Sequence, residues 1–359
     1  MRKRIHSTLA LGAASLVAGA MLVGCSTGSG GDGGAASGEP LTLVTWGGTT
    51  EEGYKAAWAD PFTEATGIPT EMVNPVDYGK LSAQIEADQV VWDWVDLEGW
   101  FTVQHSDWWA ATNTPELTID ADDLITLPGA AESDADWALP SGSYSFVISY
   151  RTDAVDTAPS TWEEFFDTEQ FPGKRGVYNW PYGMLEVALL ADGVPFEELY
   201  PLDIDRALAK LDTVRDDLVF WNSGAELQQM MSSGEVDYSF AWNNRIAALA
   251  EEGQPVAIDW GENLQDGGYM VTAKNNPQLD ETLELFASAI TTETQTKMAE
   301  ATGYSPILRS SFEALPAEDQ PWYNVHPDNM DQAVGSINLQ WWAENFDTAV
   351  EKWNSWAGQ

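Results

Sequence analysis

Short strand-like runs alternate with amphipathic helical runs along most of this chain. In residues 233–249, for example, an apolar strand pattern ends at Trp242, three hydrogen-bonding side chains follow, and a helical run begins at once. Near the start, a strand pattern at 41–44 precedes a helical one that we expect Pro61 to kink or shorten and Gly67 to end. Strands that alternate with helices form largely parallel sheets covered by helices. The sequence therefore predicts an α/β fold.

The N-terminal segment has the features of an export signal. Residues 1–24 carry three basic residues and then a run of apolar and small residues that is too short for a stable membrane span. The only cysteine, Cys25, follows small residues as in the bacterial lipobox, where the cysteine is lipidated. Residues 25–39 are rich in Gly, Ser and Ala, which is typical of a flexible tether. We expect Cys25 to anchor an extracytoplasmic lipoprotein to the outer face of the cytoplasmic membrane.

Composition narrows the range of functions. A chain of 359 residues can support two sizeable cores. The net charge of −41 argues against binding to nucleic acid and is compatible with a cationic ligand. Eighteen tryptophans are a further anomaly, because indole rings are useful in ligand walls. Outside the signal only His105 and His326 are histidines, so we predict no metal, no cofactor and no enzymatic activity.

Four segments together resemble the extracellular solute-binding proteins of ABC importers, specifically the spermidine/putrescine-binding group. In chain order they are FTEATGI (62–68), GEVDYSFAWNNR (234–245), DGGYMVTAKNNP (266–277) and ATGYSPIL (301–308). The resemblance implies a two-lobed fold like that of periplasmic binding proteins, in which each lobe is a sheet flanked by helices and crossover strands join the lobes. It also implies a monomer that delivers a small solute from the cleft to ABC permease subunits in the membrane.

On this template the domain limits are predicted as follows: signal peptide 1–24, tether 25–39, lobe 1 at 40–143 and 265–305, and lobe 2 at 144–262 and 306–359.

Strand ends that open into the cleft are the first source of candidate ligand residues. Ligands in open α/β sheets bind at the carboxyl ends of strands, which makes Trp46 and Trp242 predicted walls of the site. The resemblance implies further contacts at positions where similar proteins place them. The full predicted set is Trp46, Glu98, Trp100, Tyr144, Trp180, Tyr182, Trp242, Asn243, Asp266 and Tyr269.

The chain departs from the polyamine-binding pattern at two places. Similar proteins carry two acidic residues in the turn that here reads NWPYG, and an aromatic residue where this chain has Leu264. Glu98 replaces a small polar residue, and an acid there suits an ammonium group. Arg245 leaves two interpretations open: its planar guanidinium binds a carboxylate on the ligand, or it pairs with a neighbouring acid.

Three functions follow from these features. The first is an importer receptor for a small cationic solute such as putrescine or spermidine, held by aromatic faces and carboxylates. The second keeps the fold but binds a sugar, an oligosaccharide or another small organic solute. The third is an exported hydrolase, which would need two acids about 5 to 9.5 Å apart across a cleft.

Overall fold

A single mixed sheet organises the part of the chain that the structure describes. The structure, a computed structural model, describes residues 38–112, 117, 119–127 and 139–358. The predicted signal peptide, Cys25 and most of the tether lie outside these residues. Within the described ranges the sheet has nine strands, which in chain order are β1 (Leu41–Val44), β2 (Thr70–Val73), β3 (Trp94–Glu98), β4 (Leu139–Arg151), β5 (Arg175–Tyr178), β6 (Leu218–Trp221), β7 (Tyr238–Trp242), β8 (Val256–Val271) and β9 (Gly335–Ser336).

Two long strands cross the middle of this sheet. The strand order is β2-β1-β3-β8-β4-β7-β5-β6, and β9 pairs with β8. We call β2, β1 and β3 the first half-sheet and β7, β5 and β6 the second half-sheet; each is internally parallel. The antiparallel pair of β4, with 13 residues, and β8, with 16, joins the two. The predicted α/β architecture with crossover strands is confirmed, whereas the predicted lobe limits fall inside β4 and β8 and stay a prediction.

Helices cover both faces of the sheet. In the described residues the α-helices are α1 (Gly48–Tyr54), α2 (Asp60–Thr66), α3 (Tyr78–Glu86), α4 (Gly99–Gln104), α5 (Trp162–Phe165), α6 (Met184–Ala191), α7 (Ile204–Asp212), α8 (Gly224–Ser233), α9 (Asn243–Glu251), α10 (Leu279–Ala289), α11 (Thr292–Thr302), α12 (Arg309–Ala314), α13 (Pro327–Met330) and α14 (Leu339–Ala357). Within those ranges, no helix combines the length and the apolar character that a membrane crossing needs.

Local sequence signals account for many helix ends. Short polar side chains accept a hydrogen bond from the backbone N–H three residues later, as Asp77 does for α3 and Thr161 for α5. Gly67 ends α2 in the left-handed conformation, as predicted. Pro61 neither breaks nor ends the helical run: it lies in the first turn of α2, directly after a π-helical segment at Lys55–Ala59, where its missing N–H is tolerated.

Tryptophan side chains fill the core more often than they line an opening. Ten are almost wholly buried: Trp58, Trp92, Trp94, Trp100, Trp109, Trp162, Trp221, Trp342, Trp353 and Trp356. Several lie in one cluster that extends from β1 and β3 through β4 to α14, and others pack under α1 and α10. The abundance of tryptophan therefore reflects mainly the core, which corrects the interpretation of these rings as ligand walls.

The C-terminal helix α14 is tied to both half-sheets. Its backbone carbonyl at Ala343 accepts a 3.0 Å hydrogen bond from Gln104 of α4. On the other side, Trp342 Nε1 and Tyr200 OH both donate to Glu186 Oε1, at 2.6 and 2.8 Å. The second oxygen of Glu186 is buried without a partner in the described residues. Burial raises the pKa of Glu186 to about 7, so the folded protein holds this carboxyl protonated at mildly acidic pH.

We expect the Glu186→Gln variant to lose part of the pH dependence of folding. A carboxyl with a raised pKa binds a proton in the folded state that the unfolded chain has already released. Its contribution to stability therefore falls as pH rises from about 4.5 to about 7. Between pH 5 and pH 8 the free energy of unfolding of the parent should fall by up to about 3 kcal/mol more than that of the variant, since one pKa unit is worth about 1.4 kcal/mol. Urea unfolding of parent and variant at both pH values measures this difference.

Glu197→Gln is the matched control, because Glu197 is an exposed acid on the neighbouring short helix. If the parent, the control and Glu186→Gln show parallel pH profiles, the assigned protonation of Glu186 is wrong.

Candidate functional site

The first group of candidate residues lies where the first half-sheet ends. Because β1 and β3 are parallel, their carboxyl ends meet at one edge of the sheet. Trp46 follows β1 there and is 42% exposed, and Glu98 is the last residue of β3. The ring of Tyr78, at the start of α3, lies 6.1 Å from that of Trp46 in an edge-on arrangement. An aromatic surface and an acid thus share this edge, as predicted.

Glu98 is held by two donors on one of its oxygens. Tyr78 OH and Trp100 Nε1 donate to Glu98 Oε2 at 2.9 and 2.8 Å. The other oxygen, Oε1, accepts no hydrogen bond from the described residues. Burial raises the pKa of Glu98, and these two hydrogen bonds lower it in part. The side chain is therefore fixed in orientation while one oxygen stays available.

Trp100 and Trp180 both meet Phe346 of α14. The Trp100 ring stacks on Phe346 with 3.7 Å between centroids, and the Trp180 ring lies 5.9 Å from it. Trp100 is buried, its face is covered and its N–H is used by Glu98. We assign it the role of positioning Glu98, and direct ligand contact by Trp100 or Trp180 stays a prediction.

Asp266 lies at the centre of the crossover pair. It is directly opposite Tyr144, whose hydroxyl donates to Asp266 Oδ2 at 2.7 Å. Burial raises the pKa of Asp266 to about 7; the Tyr144 hydrogen bond opposes this rise, and the charge of Glu98 adds to it. Nearby, the buried hydroxyl of Tyr182 has no hydrogen-bond partner in the described part of the chain. Tyr269, three residues further along β8, packs closely on Gly99 of α4. A Cβ added at Gly99 would lie 2.7 Å from the Tyr269 ring.

The strand register places the two acids on one face of the sheet. Glu98 pairs with Gly268 across β3 and β8, and Asp266 is two residues from Gly268. Side chains in a diagonal relation of this kind are about 7 to 8 Å apart at their Cα atoms. The effect of Glu98 on the pKa of Asp266 agrees with this proximity. The two carboxyl groups therefore lie close together on one face of the sheet.

The second half-sheet contributes aromatic rings at its own strand ends. Tyr178 ends β5 and Trp242 ends β7, and their rings lie 5.1 Å apart. Trp242 is half-buried and packs edge-on against Trp221, at 4.9 Å. Burial raises the pKa of Tyr178, and the charge of Glu98 raises it further, so this end of the second half-sheet lies near the acid of the first.

Asn243 serves the scaffold. Its Oδ1 accepts from the Ser145 backbone N–H at 2.8 Å, and its Nδ2 donates to the Trp322 carbonyl at 3.0 Å. The side chain is fully buried, with both polar atoms in use. Asn243 thus fixes the junction of β7 and α9 against β4, and its predicted contact with a ligand is left without support from the geometry.

Arg245 is a cation that lacks a carboxylate partner. It is half-buried, its Nη1 donates to Thr49 Oγ1 at 3.3 Å, and among the described residues no acid lies within ion-pair distance of it. Burial raises the pKa of Tyr304, and the charge of Arg245 lowers it. The Tyr304 ring is 5.8 Å from that of Tyr144. A cation and Asp266 therefore both lie near this tyrosine pair.

A crevice of about 590 Å³ opens beside Arg245. Thr49, Asn244, Thr302 and Trp322 are among its lining residues, whereas Glu98 and Asp266 are not. The crevice therefore borders the Arg245 end of the candidate site and does not contain its acidic end.

Three tyrosines of this region were missed in the sequence. Tyr178 ends a strand, so the strand-end argument that selected Trp46 and Trp242 would have found it. Tyr78 starts a helix, a position that carried no signal. Tyr304 lies in the segment ATGYSPIL, which was used for the resemblance and not for the site.

Comparison with known proteins agrees with this fold. The family described as bacterial extracellular solute-binding protein matches residues 57–328. The γ-aminobutyric acid-binding protein of Pseudomonas aeruginosa is 29% identical over 331 residues, which are 90% of this chain and 92% of that protein. The solved structure of the Atu4243 GABA receptor is 36% identical, covers 89% of this chain and 97% of its own, and superposes with a TM-score of 0.80.

The finer assignment to the spermidine/putrescine group is not supported. The spermidine/putrescine-binding PotD of Streptococcus pneumoniae has a TM-score of 0.71 over 89% of this chain and 99% of its own, but only 14% identity, so it shares the fold alone. Two relatives of higher identity, at 29% and 36%, are named for γ-aminobutyric acid. These matches confirm the periplasmic-binding-protein-like fold and the general resemblance. The chain belongs to the bacterial extracellular solute-binding proteins, receptors outside the cytoplasm that bind a small molecule and interact with ABC permeases.

Proposed function

We propose that this protein binds a short ω-amino carboxylic acid, with γ-aminobutyric acid as the reference ligand, and delivers it to an ABC permease. The observation that carries the proposal is that Arg245 acts on Tyr304 while Asp266 accepts a hydrogen bond from Tyr144, whose ring is 5.8 Å from that of Tyr304. A zwitterion of this length has a carboxylate for the arginine and an ammonium group for the aspartate. The names of the two relatives at 29% and 36% identity support the same ligand class.

The lack of an acidic partner for Arg245 among the described residues is notable in a chain this rich in acids. The sequence has 57 acidic and 16 basic residues, so most cations have an acid within reach. Seven lysines and arginines among the described residues form an ion pair with an acid, as Arg206 does with Asp192 at 2.6 Å. A half-buried arginine whose only side-chain partner is a neutral hydroxyl retains its capacity for a bidentate carboxylate. We therefore favour the first of the two interpretations left open for it.

The acidic end suits an ammonium group. A buried carboxylate without a cation is costly, which the raised pKa of Asp266 expresses. An ammonium beside Asp266 removes this cost and contacts the rings of Tyr144 and Tyr182 as well. Each cation–π contact contributes about 0.5 to 2 kcal/mol.

A polyamine is the second candidate ligand, favoured by one observation. Glu98 and Asp266 form an acid pair among aromatic rings, which suits a cation that carries no carboxylate. Arg245 argues against it, because a second cationic end would meet a positive charge there. Membership in a receptor family favours binding over the hydrolase alternative, although the same acid pair would be its catalytic residues.

Binding measurements on two charge variants test the proposal. We expect γ-aminobutyric acid to bind, and both Arg245→Gln and Asp266→Asn to weaken it about 30-fold or more, since removing one partner of a buried charge pair costs about 2 to 5 kcal/mol. Calorimetric titration of the mature protein gives the dissociation constants. Arg206→Gln, which removes an exposed arginine, is the control and should bind as the parent does.

Putrescine distinguishes the two candidates in the same experiment. If the parent binds putrescine and gives no heat with γ-aminobutyric acid, the proposed ligand class is wrong. Loss of affinity in Arg206→Gln as well would show that the effect of Arg245→Gln is not specific.

The affinity should depend on pH through Asp266. With a pKa of about 7 in the free protein, this carboxyl must release a proton before it pairs with an ammonium. The dissociation constant of γ-aminobutyric acid should therefore rise as pH falls below 7, by up to about tenfold per pH unit for one proton. Titrations at pH 5.5, 6.5 and 8 measure this slope, and a flat profile over that range would contradict the assignment.

We propose in addition that Cys25 carries the lipid anchor. The expected effect of Cys25→Ala is a shift of the exported protein from the membrane fraction to the soluble extracytoplasmic fraction, because the acyl chains that bind the bilayer are missing. Fractionation followed by immunoblotting measures the shift. Cys25→Ala that stays with the membrane to the same extent as the parent would show that another contact anchors the protein.

A further inference from the structure

Glu98 is an acid that the ligand class proposed above does not require. One ammonium group is satisfied by Asp266 and the tyrosines around it. Yet Glu98 lies on the same face of the sheet as Asp266, as its diagonal neighbour across β3 and β8. Two hydrogen bonds to Oε2 fix its side chain, and Oε1 accepts no hydrogen bond from the described residues. An acid that lies beside Asp266 and keeps one oxygen available can itself bind the ligand.

We propose that Glu98 and Asp266 together bind a guanidinium group, so that ω-guanidino acids such as 4-guanidinobutyrate are preferred ligands of this site. The inference rests on the proposed function, because it keeps the ligand carboxylate on Arg245. It adds a second anionic binding residue and a different cationic head group.

The geometry of the two acids fits a guanidinium better than an ammonium. A guanidinium has five N–H donors in one plane, and its two edges point toward different acceptors. Carboxyl groups whose backbones are about 7 to 8 Å apart can each accept from one edge. An ammonium is a compact point charge with three donors, so close pairing with one acid takes it away from the other.

The fixed orientation of Glu98 supports the same head group. Tyr78 and Trp100 hold Oε2, so that Oε1 does not rotate away when the site is empty. The acceptor is therefore preorganised, and the ligand does not have to order a flexible side chain on binding.

Desolvation and aromatic contact favour the guanidinium further. It is more weakly hydrated than an ammonium and is less costly to bury. Its flat face stacks on aromatic rings, and Trp46, with its exposed ring, and Tyr78 lie beside Glu98. The two acids thus match the charge and N–H donors of the guanidinium, and the aromatic rings match its flat face.

Calorimetric titration with three ligands tests the proposal. The ligands are γ-aminobutyric acid, 4-guanidinobutyrate and 5-aminopentanoate, which carries an ammonium at nearly the reach of the guanidinium and so controls for length. We expect 4-guanidinobutyrate to bind the parent at least tenfold more tightly than either amine.

The Glu98→Gln variant assigns this preference to one residue. Glutamine keeps an oxygen that accepts from Tyr78 and Trp100, so the fold is retained, and thermal unfolding of the free variant verifies this. The variant should lose at least tenfold in affinity for 4-guanidinobutyrate and less than about threefold for γ-aminobutyric acid. Glu64→Gln, which neutralises an exposed acid on α2, should change neither.

The outcomes separate this inference from the function beneath it. If γ-aminobutyric acid binds and 4-guanidinobutyrate binds no better than 5-aminopentanoate, the guanidinium inference is overturned and the proposed function stands. Equal weakening of all three ligands in Glu98→Gln also overturns it, because Glu98 would then be an ordinary acid of an amine site. If none of the three binds, the proposed function fails and this inference fails with it.

Discussion

The antiparallel pairing of β4 with β8 is the constraint on which the rest of this structure depends. The pairing extends from Leu139 opposite Met270 to Arg151 opposite Val256, with two irregularities. One end of this ladder lies beside the first half-sheet and the other beside the second, so the same hydrogen bonds support both. Tyr144 and Asp266 are opposite one another in its interior, where their separation is set by the backbone. The chemical centre of the candidate site is therefore part of the element that holds the halves together.

Burial gives the acids of this protein different roles. Most of the 57 acidic residues contribute to solubility through a large net charge. Asp266, Glu98 and Glu186 are instead enclosed by aromatic and polar groups, and each has a raised pKa. Glu186 receives two donors and links helices, whereas Glu98 keeps one oxygen without a hydrogen bond among the described residues. Hydrogen-bond partners, more than burial alone, distinguish a structural acid from a candidate ligand group.

The sequence predicted the architecture well because its signals are local. Strand and helix periodicity and the stop at Gly67 depend on neighbouring residues only, and each is found in the structure. The strand-end argument for Trp46 and Trp242 rests on topology alone. It does not separate a ligand wall from a support: next to Trp242, Asn243 has both polar atoms occupied by Ser145 and Trp322, far along the chain. Those partners are set by packing, which periodicity does not contain. The abundance of tryptophan misled for the same reason, since composition does not distinguish a core ring from an exposed one.

The first turn of α9 also connects the two half-sheets through its side chains. Asn244 Nδ2 donates to the Thr302 carbonyl and Arg245 Nη1 to the Thr49 hydroxyl, both at 3.3 Å. We call these two hydrogen bonds the clasp, and the second of them holds the Arg245 side chain in place. The affinity observed in solution is then the intrinsic affinity reduced by the fraction of molecules in which the clasp is made. Because the acceptor at Thr49 is a side-chain hydroxyl, substitutions there can tune uptake without altering a group proposed to touch the solute.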